Sequence, residues 1–204
     1  MQPATLPCPP PPAGPLSALR AATRSHHDRI DALVNLRRLQ ERSHYERVLR
    51  VLDSFLAGWE PAVAAALPQR SAWLRARSRR PFLQRDLRDL GLAPLRPAVL
   101  PPLASAAAAW GSVYVMEGSA LGGMVISRSL AGAGLGPDHG AAYFHGWGED
   151  TGRMWREARD VLEAELASPD ALDQACEAAR LTFETLSALM EAAVHEPVTA
   201  KAVP

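Results

Sequence analysis

From Leu16 onward the apolar residues recur every three or four positions, the period of helices that bury one face. Leu16, Leu19, Thr23, Ile30 and Val34 mark a first helix, with Ser17 placed to cap it. Ser43-His44-Tyr45-Glu46 has the form of a capping box and predicts a second helix through Val48, Leu49, Leu52, Phe55 and Leu56. An arginine-rich helix is expected from about Ser71 to Leu90, broken or kinked at Pro81. Gly91 and the prolines at 94, 97, 101 and 102 predict a linker. A long alanine-rich helix then runs to GAGLGPDHG, and another spans roughly Glu149 to Leu166. Ser168-Pro169-Asp170 supplies a cap and an N1 proline for a last helix reaching about Val194. No strand-like alternation persists. The pattern predicts an all-α single domain, a multi-helical bundle over residues 16–194. Residues 1–15 hold seven of the 18 prolines and read as a disordered leader; residues 195–204 read as a tail.

Composition narrows the function more than the fold. A chain of 204 residues can bury one sizeable core. Its 22 basic residues balance 22 acidic ones, which argues against nucleic acid or an anionic membrane as the main partner. Cys8 and Cys176 lie far apart with no zinc or CxxC spacing, as expected in a reducing cytoplasm. No apolar run approaches membrane-spanning length, so a cytoplasmic protein is expected. Gly132-Ala133-Gly134-Leu135-Gly136 follows a helix rather than joining a strand to one, and reads as a helix terminator instead of a nucleotide loop.

The stretch Tyr114–Ser127, YVMEGSALGGMVIS, departs from this pattern. It places Gly118, Gly122 and Gly123 inside a helix, at roughly 1 kcal/mol each relative to alanine. Gly118 and Gly122 share a face, with Gly123 beside them and Ser119 next in line. A strip without side chains either lets a neighbouring helix pack close or lets a flat ligand lie against the backbone.

The first helix carries His26 and His27. At about 100° per residue they fall on opposite shoulders of its apolar stripe, so spacing does not choose between them. No ExxH pair supports a di-iron site, and His44, His139, His145 and His195 show no metal-ligand spacing. One histidine without carboxylate partners suits heme better than a bare ion, while a satisfied core or surface histidine is the plainer alternative.

Together these residues carry a resemblance. LRAATRSHHDRID resembles the opening helix of heme oxygenases, with a basic residue, a threonine three later and a histidine four beyond it. YVMEGSALGGMVIS resembles their distal helix, especially in bacterial members. YFHGWGEDTGRMWREARDVLEAEL resembles the later helix that supplies cations to the heme propionates. The matches come in family order over most of residues 16–194, and the likeness is strongest to the bacterial subgroup associated with bacteriophytochromes.

The resemblance implies His27 as the axial iron ligand, with His26 as its neighbour on the helix surface. It implies Arg20, Arg153 and Arg156 as propionate contacts, with Thr23 and Tyr114 among the heme-binding positions. Gly118, Ser119, Gly122 and Gly123 become the roof of the heme pocket. Ser119 stands where the animal enzymes carry an aspartate that organises distal water, and bacterial relatives share the serine. A hydroxyl can hold an ordered water but is no proton reservoir at neutral pH.

The implied activity is oxidative cleavage of heme to biliverdin, carbon monoxide and ferrous iron, with heme as both substrate and cofactor. It consumes O2 and electrons. The chain has no flavin, nicotinamide or iron–sulfur motif, so the electrons would come from an external donor, whether a reductase, a ferredoxin or ascorbate. A bacteriophytochrome is the implied recipient of the biliverdin. Between Arg70 and Arg88 stand seven arginines and one acid, Asp86; the strip either docks an acidic partner or is a solvated helix face. Two rival readings are a non-catalytic heme carrier and a helical interaction protein of the same fold. A thiaminase-like relative is disfavoured, because Cys8 lies in the leader and Cys176 on the last helix.

Overall fold

A computed structural model describes residues 14–195, and among them the chain is helical with no strand. The expected leader falls outside the described residues except for Gly14 and Pro15, and the expected tail except for His195. The first helix, α1, spans Pro15–Val34. Gly14 is its N-cap and Pro15 occupies the first turn, where a missing N–H is harmless, so Ser17 lies inside the helix and caps nothing. Asn35 closes α1 in the left-handed conformation, its N–H bonded to Asp31 O at 2.9 Å.

Helix α2, Arg42–Ala66, begins two residues earlier than the capping-box reading required. Glu41 is the N-cap, Ser43 is already helical, and no side chain caps this end. The arginine-rich segment forms two helices, α3 (Ser71–Ala76) and α4 (Arg80–Asp89). The expected break at Pro81 falls just before it, over residues 77–79, and Pro81 itself sits in the first turn of α4. After the proline-rich linker, Ser105 caps α5 (Ala106–Leu130), accepting from Ala108 N at 3.1 Å. Gly134, left-handed, ends that region as the glycine pattern predicted. A short α6, Ala142–His145, had no signal in the sequence. Helix α7 spans Thr151–Glu165, starting two residues later than expected behind a turn of 3₁₀-helix. Ser168 caps α8, Pro169–His195, its Oγ accepting from Ala171 N at 3.2 Å.

The core sits where α5 runs along α8, with α2 closing one side. Trp110 is fully buried there, its ring edge-on to Trp73 of α3 with 5.6 Å between centroids. At Gly111 the two helices are so close that any Cβ would overlap the backbone of Ala175. A buried hydroxyl pair, Ser112 Oγ and Thr182 Oγ1 at 2.7 Å, and the bond from Trp59 Nε1 to Ser112 fix the register of α5.

The arginine strip does not form the free basic face that docking required. Arg77 and Arg79 are buried. Arg70 pairs with Glu165 at 2.7 Å, Arg80 with Asp53 at 3.4 Å and Arg85 with Asp138 at 3.4 Å. Among the described residues only Arg75 and Arg88 of this strip are exposed without an acidic partner. Asp86 points inward and receives Ala142 N at 2.7 Å and Tyr143 N at 2.8 Å, which is what holds α6 in place. Burial pushes its carboxyl up to about 6 despite those two N–H donors.

Candidate functional site

Helices α1 and α5 both pack along α8, yet barely touch each other. They approach where the Tyr114 phenol of α5 lies beside Thr23 and Arg20 of α1. Burial raises the Tyr114 pKa, while the Thr23 hydroxyl and the Arg20 guanidinium act in the opposite sense. Thr23 is itself tied to Leu19 O at 2.7 Å, so this meeting point is fixed from the α1 side. Trp155 of α7 packs against it, 6.1 Å from the Tyr114 ring. One turn further along the two helices stand His27 and Gly118.

The three glycines have different surroundings. A Cβ on Gly118 would meet only Trp155, at 3.8 Å, an ordinary contact. A Cβ on Gly122 would meet nothing within 4 Å. Beside them Leu121 and Val125 are 39% and 56% exposed, so this face of α5 is apolar, bare and uncovered. Gly123 departs from the expected roof: it is buried, and a Cβ there would stand 2.9 Å from Phe144 O of α6. Its missing side chain serves helix packing.

The histidines, equivalent by angle, differ in their partners. Nε2 of half-buried His26 lies 3.1 Å from Glu184 Oε1 of α8, and its Nδ1 is 3.5 Å from Ser25 Oγ. Both ring nitrogens are therefore engaged. His27 is exposed; its Nδ1 lies 3.2 Å from Asp31 Oδ2 and its ring stands edge-on to Phe183, 6.0 Å between centroids. No described protein group takes its Nε2. An imidazole with a carboxylate beside one nitrogen and the other nitrogen open has the arrangement common to metal-ligating histidines.

The cations divide in the same way. Arg153 is shared between Asp150 at 3.1 Å and Glu157 at 2.7 Å on its own helix, which raises its pKa. Arg20 and Arg156 are exposed and have no acidic partner among the described residues. Of the two α7 arginines expected at the propionates, Arg153 and Arg156, the second is the one without an acidic partner among the described residues.

Behind the strip lies an arrangement that sequence reasoning missed. Buried Arg79 donates from Nη2 to Ser119 Oγ at 2.5 Å and to Met116 O at 2.6 Å. The Ser119 hydroxyl donates in turn to Met116 O at 2.8 Å. Its hydrogen and one lone pair are thus committed. Arg77, one turn away, stacks on Trp73 at 4.2 Å and lies 3.3 Å from buried Glu117. Burial raises the Glu117 pKa, and Arg77 and Arg79 hold it back. Only the arginine density of residues 70–88 hinted at this, and it did not distinguish buried from exposed positions.

A heme fits these residues: one histidine with a free nitrogen, an apolar strip with open space above it, and two unpaired arginines for carboxylates. A heme oxygenase from Xanthomonas campestris pv. campestris (strain 8004) is 42% identical over 141 residues, covering 68% of this chain and 84% of the relative. The chain belongs to the heme oxygenase family. The heme oxygenase of Neisseria meningitidis, solved with NO and CO bound, superposes with a TM-score of 0.79 at 24% identity, over 93% of this chain and 96% of that one. Heme oxygenase 2 from Chlamydomonas reinhardtii, solved without heme, gives a TM-score of 0.72 at 20% identity, over 93% and 100%. At such identities the two structures speak for the fold, which is the all-α heme oxygenase fold. No family model matches the chain. No described helix is long and apolar enough to cross a membrane.

Proposed function

We propose that the protein binds heme between α1 and α5 and cleaves it to biliverdin, carbon monoxide and ferrous iron. The observation that carries this reading is the uncovered apolar strip around Gly118 and Gly122, on the helix that meets the histidine-bearing helix at Tyr114. When bound, heme supplies the oxygen-activating chemistry and is itself the molecule consumed. His27 would ligate through Nε2, with the Asp31 carboxylate, 3.2 Å from Nδ1, placed to favour a proton there and to orient the ring. Arg20 and Arg156 receive the propionates, as planar guanidinium groups can do bidentately. Gly118 and Gly122 keep the space above the ring clear.

Ser119 acts as an acceptor. With its hydrogen given to Met116 O and one lone pair taken by Arg79, it has a lone pair left to accept from a water, which keeps one hydrogen to donate into the pocket. Electrons come from a separate reductase, ferredoxin or ascorbate. The bacterial character of the GSxxGG run supports a role in supplying biliverdin to a bacteriophytochrome in the cytoplasm.

The test is an absorption time course of the hemin-loaded protein under air with a ferredoxin system and catalase, run beside His27→Ala. Decay of the Soret band with growth of a broad red band, lost in His27→Ala, is expected. A stable Soret band would leave a heme carrier. No Soret band would leave an interaction protein with this fold. Unchanged turnover in His27→Ala would move ligation to His26.

A further inference from the structure

Val113, Met116 and Glu117 face away from the glycine strip, and behind them a cavity of about 440 Å³ opens between α2, α3 and α5. Its size lies in the range of small-molecule sites. Leu56, Val63, Leu74, Val113 and Met116 give it an apolar wall. Opposite stand Arg75, Arg77 and Arg79, with Glu60 and Glu117 as the acids.

The charges on this lining do not close. Arg77 is engaged on both sides, with Nε 3.3 Å from Glu117 and Nη1 3.4 Å from Glu157. Arg79 is 5% exposed and, among the described residues, has no carboxylate in ion-pair contact. Its partners are Met116 O and Ser119 Oγ, both through Nη2, and the face of the Tyr143 ring, 4.8 Å away. Glu60 already accepts from Ser78 Oγ at 2.6 Å. Arg77 is thus balanced by its own acids, and Arg75 and Arg79, without a carboxylate in ion-pair contact among the described residues, share the lining with one further acid, Glu60. A buried cation beside empty space is a strong attractor for an anion, because desolvation has already been incurred.

We propose that this cavity is a second ligand site, separate from the heme slot, that binds a small organic monocarboxylate with an apolar body. A single excess positive charge suits a monoanion; a phosphate dianion would also meet Glu60 and Glu117. The carboxylate lies at Arg75 and Arg79, and the apolar body against Val63, Leu74 and Val113. Exposed Arg75 marks the mouth. Because Arg79 also holds Ser119, an occupant touches the residue that sets the distal helix.

The probe is benzoate, with neutral benzamide as control, titrated calorimetrically into the full chain with and without hemin. Benzoate is expected to bind in both states and to raise the thermal midpoint progressively with concentration. Benzamide should not. Arg75→Gln should weaken benzoate by roughly threefold to tenfold. Ala64→Phe, which fills the half-exposed rim, should abolish binding and leave the Soret band of the hemin-loaded protein unchanged. Arg79→Gln is omitted because it risks the fold. Equal binding of benzamide, or no binding of benzoate, would overturn the proposal and leave ordered water as the solvent of Arg79. Displacement of benzoate by hemin would overturn the separateness of the site. None of these results depends on whether heme is turned over, so they stand apart from the His27 test.

Discussion

Nδ1 of His27 lies 3.2 Å from Oδ2 of Asp31, one helical turn further on, and this contact is what makes the two adjacent histidines unequal. His26 gives its Nε2 to Glu184, whereas His27 keeps its Nε2 open. Removing the carboxylate should loosen the ring without disturbing the fold, since both side chains are exposed. Asp31→Ala is expected to weaken hemin binding by about tenfold, read by Soret titration, with unfolding by urea unchanged. An unaltered hemin affinity would show that Asp31 does not orient the ligand.

The glycines of α5 make a contrast within one helix. Gly118→Ala and Gly122→Ala meet no obstacle and should stabilise the heme-free protein by about 0.5–1 kcal/mol through helix propensity, yet lower heme turnover. Gly111→Ala must displace the Ala175 backbone and should destabilise by about 3 kcal/mol or more. Urea unfolding of the three variants, beside their turnover rates, checks both halves. Destabilisation by Gly122→Ala would assign that glycine to packing.

Arg77 and Glu117 form a buried pair, and removing one partner strands the other. Arg77→Met is expected to cost about 3–5 kcal/mol. The carboxyl of Glu117, already raised by burial, rises further once Arg77 is gone. A raised carboxyl favours the fold when protonated, so the loss should be smaller at pH 5 than at pH 8. Denaturation curves at the two pH values decide it; a loss independent of pH would mean that Arg77 matters chiefly for its packing against Trp73.

Asp86 gives the fold an unusual pH slope. Its carboxyl is raised to about 6, so its favourable contribution is fully present below the ordinary value near 3.8 and is lost as pH rises through 6. The loss is of order 1–3 kcal/mol. Asp86→Asn cannot ionise and should flatten this part of the stability profile between pH 4.5 and 7.5, while costing about 1 kcal/mol overall for the acceptor it lacks toward Ala142 or Tyr143. A profile as steep as the parent's would place the titration elsewhere.

The helices themselves were legible because each buries a stripe at helical period, as Leu19, Thr23 and Ile30 do on α1. Their starts were less so: serine and glutamate at capping spacing in residues 43–46 compete with Glu41, whose extended backbone already begins α2. The glycine strip announced itself by cost. Gly123 could not be separated from Gly122, since the carbonyl of Phe144 that it accommodates belongs to a helix with no sequence signal. Spacing could not separate His27 from His26, because one of the two contacts that distinguish them, Glu184 on His26, lies 158 residues away in the chain. The arginines misled for the same reason: their partners Asp53, Glu165 and Asp138 come from distant segments, and a local run of charge says nothing of them.

Leu121 and Val125 facing water also bear on the protein's life before it is loaded. An empty slot leaves adhesive surface on an otherwise charge-balanced, neutral molecule, which has little repulsion to keep copies apart. The unfilled chain is therefore the form prone to self-association, and a bound ring acts as its last layer of upholstery. The heme-free protein is then expected to associate at concentrations where the loaded protein stays dispersed.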